Sequence, residues 1–216
     1  MTDQASGNLV QVFTRPPIPG QVKTRLIPAL GEQGAADLHA ELASCVLKAL
    51  ETSDLDYELW CTSDIDHSFF DDFKVNKQLQ QGNDLGERME NALNDGLLRA
   101  SNVVLIGTDL PTLDINYLRK AFESLGTHQV TLGPADDGGY GLIGSSGVLP
   151  DVFVDVPWGH SEVLRVTCDR LNQARINYAL LPRLWDVDMP EDLARYREWQ
   201  QMVKPHQAGP GSPPRS

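Results

Sequence analysis

Residues 102–107, NVVLIG, are the clearest candidate for a buried strand, and they stop at Thr108-Asp109. A short apolar run without polar alternation suits a strand covered on both faces, as in a parallel sheet flanked by helices. The rest of the chain supplies partners for it. Strands are predicted at 9–14, 56–63, 128–133 and 139–144, with shorter ones at 74–80 and 177–181. Helices are predicted at 32–51, 84–100, 114–125 and 161–174, and one opens near Pro190. In the second of these, Leu85, Met89, Leu93 and Leu97 form an i, i+4 stripe. This alternation predicts an α/β fold with a mostly parallel, Rossmann-like central sheet. Ligands of such sheets sit at the carboxyl ends of the strands, where Arg15 and Asp109 fall.

Length and charge narrow the function. The 216 residues suit one domain, 1–203, and the Pro/Gly/Ser-rich 204–216 reads as a disordered tail. A net charge of −12 argues against nucleic acid or an anionic membrane as the main partner. There is no signal-like N-terminus and no apolar run of membrane-spanning length, so a cytoplasmic enzyme is expected. Cys45, Cys61 and Cys168 have no metal-site spacing and read as buried free thiols.

Several segments could carry chemistry. TRPPIPGQVKTRL (14–26) places Arg15, Lys23 and Arg25 around Gly20 just after a buried strand. Three cations there suit a di- or triphosphate, although a solvated loop accounts for the pattern equally well. No P-loop or dinucleotide fingerprint is present. Asp109 could hold Mg²⁺ or Mn²⁺, hard cations that bridge carboxylate and phosphate oxygens. A helix cap is the simpler reading for Asp114, which directly precedes a helix. Asp136 and Asp137 belong to a DDGG segment that is a turn signal first and a catalytic candidate second. Asp186 and Asp188 alternate along an extended segment before the last helix, where capping is the plain alternative. Gly82, Asp84 and Gly86 open a helix whose N-terminus a ligand could approach. Trp158 and His160 lie on a loop that could face an acceptor, with Ser161 as a possible cap. His39, His67, His128 and His206 show no ligand-like grouping.

Taken in order, PIPGQVKTRL, QGNDLGERM, GTDLPTL, PADDGGYGLIG, PWG and DVDMPEDL resemble the DUF2064 family over residues from about 9 to 200. That family is similar to the guanylyltransferases of coenzyme F420 (2-phospho-L-lactate) and molybdenum-cofactor biosynthesis. The resemblance implies a GT-A-like, nucleotide-diphospho-sugar transferase fold of three layers. It implies phosphate binding by Lys23 and Arg25 with Arg15 nearby, and metal binding by Asp109 and Asp188 with Asp186 beside them. Gly82, Asp84 and Gly86 would face base and ribose. The chain departs from two related patterns: one Asp stands in GTDL where many glycosyltransferases carry D-x-D, and PIPGQVKTR replaces the pyrophosphorylase G-G-x-G-x-R loop.

Three functions stay open at this point. The first is a metal-dependent glycosyltransferase using a nucleotide-sugar donor, with Asp136 or Asp137 handling the acceptor hydroxyl. The second is a nucleotidyltransferase that joins a nucleoside triphosphate to a phosphorylated acceptor. The third is a non-catalytic nucleotide-binding protein.

Overall fold

A computed structural model describes residues 7–149 and 151–203; the predicted tail at 204–216 lies outside them. The first strand, β1 (Asn8–Thr14), alternates as a doubly covered strand should: Val10 and Val12 enter one core, Leu9 and Phe13 the other. The 102–107 run forms β4 (Asn102–Ile106) and divides in the same way, with Val104 and Ile106 opposite Val103 and Leu105.

Among the described residues seven strands make one sheet in the order β3-β2-β1-β4-β6-β5-β7. Besides β1 and β4 these are β2 (Asp56–Cys61), β3 (Lys77–Leu79), β5 (Val130–Pro134), β6 (Tyr140–Ser145) and β7 (Tyr178–Leu180). β6 runs antiparallel to β4 and β5, because the tight DDGG connection folds it back on β5; the other pairings are parallel. β3 is shorter than the 74–80 expected from sequence.

Among the described residues five α-helices cover the sheet: α1 (Ile27–Glu51), α2 (Leu85–Leu97), α3 (Ile115–Leu125), α4 (Val163–Gln173) and α5 (Asp192–Val203). α1 and α3 pack on one face, α2 and α4 on the other, which gives the three layers; α5 packs on the outer side of α1 through Leu193 and Tyr196. α1 is interrupted at Gly31, whose φ of 72° is non-helical, so its regular part starts where the sequence predicts. The predicted cap is in place: Asp114 accepts from the Tyr117 N–H at 2.8 Å. Ser161 is not a cap, since α4 begins after Glu162 without a capping side chain. The cysteines correct a second expectation: Cys61 is buried, but Cys168 is half-buried and Cys45 is exposed. Cys45 lies on α1 next to Tyr196 and Trp199 of α5, at the edge of the contact between those helices. No helix among the described residues is long and apolar enough to cross a membrane.

Candidate functional site

The carboxyl ends of β1, β2, β3 and β4 open into a cleft of about 530 Å³, whose lining includes Thr14, Thr62, Gln80 and Thr108, one residue from each strand end. Across it lies the loop after β1. Val22 and Leu26 anchor that loop, at 3% and 0% exposure, and fix the residues between them. Lys23 takes a left-handed backbone (φ 47°, ψ 40°), unusual for a side chain with a Cβ. Its side chain is 2% exposed, and Nζ lies 2.9 Å from Asp109 Oδ1 and 3.8 Å from Asp188 Oδ1.

The two acids arrive from different elements. Asp109 follows β4, and its carbonyl accepts from Val187 N–H at 3.0 Å, which ties the pre-α5 segment to the β4 loop. Asp188 is then held from behind: its N–H and that of Met189 both donate to Asp192 Oδ2, at 3.0 and 2.7 Å. Arg25 reaches Asp188 Oδ2 at 2.6 Å from an exposed position. Burial acts to raise the Asp109 carboxyl pKa, but the Lys23 ammonium and the His39 ring overcome this and hold it well below the usual carboxylate range. Asp109 Oδ1 is buried although the side chain as a whole is 43% exposed, so the second oxygen faces the cleft.

His39 is a residue the sequence reading passed over. It is buried at 4% exposure on α1, with Nε2 3.0 Å from the Arg15 carbonyl oxygen and Nδ1 3.7 Å from Asp109 Oδ1. The available signal was a polar ring on the helix face that carries Ala35, Ala36, Leu42 and Ala43. Arg88 was also missed. It adds a fourth cation to the cleft, with Nε donating to the Gly82 carbonyl at 3.1 Å.

Arg15, Lys23, Arg25, Asp109 and Asp188 thus share one cleft. The other candidates are not in its lining, although Leu85 and Arg88 of α2 are, and most have structural partners. Asp84 caps α2 by accepting from Glu87 N–H at 2.9 Å. Gly86 lies against the Trp158 indole, where an added Cβ would come within 2.8 Å of Nε1. Gly82 adopts φ 142°, and Gly20 adopts φ 80° beside Glu32. Trp158 also meets Tyr140 edge-on at 6.4 Å, whereas His160 is exposed. Asp136 pairs with Arg195 at 2.8 Å, and Asp137 accepts from Gly139 N–H within its own turn. Asp186 lies close enough to interact with the site: burial first, and then the Asp137 carboxylate, push its pKa up to about 6, with Asp188 adding to the rise and Lys23 opposing it.

Among the described residues no group of three or more His, Cys, Asp or Glu side chains forms a ready-made metal cage. The donor set nonetheless fits a hard divalent cation, because Mg²⁺ takes one or two carboxylates and completes its shell with waters and substrate phosphates. Asp109 and Asp188 would hold it there, with the cleft-facing oxygen of Asp109 at hand.

The chain's relatives share this architecture. No curated protein matches it. A structure from Desulfovibrio desulfuricans G20, provisionally described as a nucleotide-diphospho-sugar transferase, is 31% identical with a TM-score of 0.87; the match covers 94% of this chain and 91% of that one. Two more distant structures share the fold at 14% identity. Molybdopterin-guanine dinucleotide biosynthesis protein A from Archaeoglobus fulgidus has a TM-score of 0.57 over 90% of this chain and all of its own. A cytidylyltransferase from Leptospira borgpetersenii has a TM-score of 0.56 over 97% of this chain and all of its own. Residues 32–160 match the family described as uncharacterized protein conserved in bacteria (DUF2064), and the chain belongs to that family.

Proposed function

We propose that the protein is a glycosyltransferase that binds a nucleotide-diphosphate sugar in the cleft and transfers the sugar to a small acceptor. One observation carries the reading. In a chain of net charge −12, Arg15, Lys23, Arg25 and Arg88 converge with Asp109 and Asp188 on one cleft at the strand ends. That concentration of cations suits a diphosphate, and the 31% identical relative described as a nucleotide-diphospho-sugar transferase supports the same donor.

In this reading Arg15, Lys23 and Arg25 bind the diphosphate and neutralise the negative charge that grows on it as the glycosyl bond breaks. Asp109 and Asp188 hold Mg²⁺ or Mn²⁺, which would supply Lewis-acid stabilisation of the same leaving group. His39 keeps the Arg15 carbonyl and the Asp109 carboxylate in register. Catalysis is then positioning and electrostatics, and no protein nucleophile is required. Asp136 and Asp137 stay candidates for the acceptor side, as do Trp158 and His160. The acceptor is a small molecule, and the setting is cytoplasmic.

A second reading, nucleotidyl transfer with release of pyrophosphate, is favoured by the four cations of the cleft, enough for a triphosphate, and by the fold shared with nucleotidyltransferases. A mass-spectrometric product assay with Mg²⁺ or Mn²⁺ separates the two. Nucleoside diphosphate released from a nucleotide sugar is the expected result. Pyrophosphate together with a nucleotidylated acceptor overturns it in favour of the second reading.

A further inference from the structure

We infer that Lys23 is the built-in counter-ion of the two site carboxylates: in the ligand-free protein its ammonium holds the place of a divalent cation between Asp109 and Asp188, and a phosphate ligand draws it away. The ligand's identity rests on the nucleotide reading above; the counter-ion role does not.

The geometry is that of a bound cation. Nζ is buried, faces both carboxylates, and like Asp109 Oδ1 has no further hydrogen-bond partner among the described residues. A buried ammonium persists only beside anions, and two carboxylates meeting at one point need a cation between them. The left-handed backbone at Lys23 aims the side chain inward, away from the solvent that a loop lysine normally seeks. Charge balance completes the argument. Lys23 and Arg25 set two positive charges directly against the two negative charges of Asp109 and Asp188, and Arg15 and Arg88 add further positive charge to the cleft, so the resting carboxylates attract a free divalent cation weakly. An entering diphosphate changes the balance. It offers both side chains stronger anionic partners, and the carboxylates they leave become available to a metal that arrives with the phosphate.

The first test is nucleotide-free Mn²⁺ binding to the full chain, read from the electron paramagnetic resonance signal of unbound Mn²⁺. Lys23→Met is expected to bind Mn²⁺ at least about tenfold more tightly than wild type, within the usual range for coupled sites. Adding Asp109→Asn is expected to abolish the gain. Equal binding by wild type and a folded Lys23→Met, or a gain that survives Asp109→Asn, overturns the proposal.

A second variant covers the case in which Lys23→Met does not fold, which circular dichroism reveals. Metal-free pyrophosphate binding is measured by calorimetry for Asp188→Asn and Asp136→Asn, which lose the same charge. Asp188→Asn is expected to bind about fivefold more tightly than wild type, because it frees Arg25 and leaves Lys23 with Asp109 as its one carboxylate. Asp136 is already held by Arg195, so a similar gain in both variants reflects bulk charge and overturns the proposal. Wild type that binds neither pyrophosphate nor nucleotide, with or without Mg²⁺, sinks the nucleotide reading instead, and the Mn²⁺ comparison then decides the counter-ion role by itself.

Discussion

Asp109 serves two purposes at once, as the cleft-facing carboxylate and as the main partner of a buried lysine. The consequences of removing it should therefore separate. Asp109→Asn is expected to abolish metal-dependent turnover and to cost roughly 1–3 kcal/mol of stability, since Lys23 keeps a single acidic partner. Product assays and urea denaturation read the two effects; normal turnover would take Asp109 out of the site. Gly86 makes a different claim. Its Cβ would meet the Trp158 indole at 2.8 Å and the Phe153 carbonyl oxygen at 3.0 Å, so Gly86→Ala should destabilise by about 1–3 kcal/mol through overpacking. A variant of unchanged stability would show that the Trp158 loop moves easily, and would return Gly86 to the list of ligand contacts. At this scale the sequence is legible where a residue acts locally. Asp114 precedes a helix and caps it. His39 was illegible because its partners, the Arg15 carbonyl and Asp109, lie 24 and 70 positions away in the chain.

Among the elements, α2 carries two devices that sequence alone runs together. Its N-terminus reads as a ligand-facing turn, yet Asp84 is occupied in capping and Glu87 reaches back to the Asn83 N–H at 2.7 Å, a reciprocal arrangement. Asp84→Ala should cost about 1 kcal/mol of stability and leave nucleotide affinity unchanged. Thermal melts with a binding titration check this, and a loss of affinity would make Asp84 a ligand contact. Behind α2, the interior of β2 contains a buried acid. Glu58, at 2% exposure, accepts from Arg99 at 2.9 and 3.0 Å, from Trp60 at 2.8 Å and from Gln11 at 3.0 Å. Burial raises its pKa, but the hydrogen bonds from Arg99, Trp60 and Gln11 outweigh burial, and the net shift is downward. The folded pKa lies below the unfolded one. Its stabilisation is therefore present above the ordinary carboxylate range and is lost as pH falls through the folded value. Glu58→Gln should lower stability by roughly 2–3 kcal/mol near pH 7, with the two melting curves converging as pH drops below about 4. A difference that stays constant down to acid pH would contradict this.

For the whole molecule, the topology places four strand ends and the loop after β1 around one cavity, so a ligand there binds the native state and not the unfolded chain. A nucleotide donor at about a hundred times its dissociation constant should add about 2.7 kcal/mol. For a chain of this size that is a rise in melting temperature of roughly 5–10 °C. Scanning fluorimetry across the common nucleotides and nucleotide sugars measures it, and the absence of any shift would count against a nucleotide site of any kind. The sequence by itself determined the alternation of strands and helices, the apolar identity of β1 and β4, and the cap at Asp114, because each depends on neighbours within one or two turns of chain. It also placed Arg15 and Asp109 at strand ends, where parallel sheets bind ligands. Only the tertiary structure decided that Lys23 turns inward to Asp109 and Asp188, that Arg25 reaches across 163 positions to Asp188, and that Asp136 is engaged by Arg195. The physical reason is that a charged side chain pairs according to which opposite charges share its low-dielectric surroundings, and the folding of distant segments creates those surroundings.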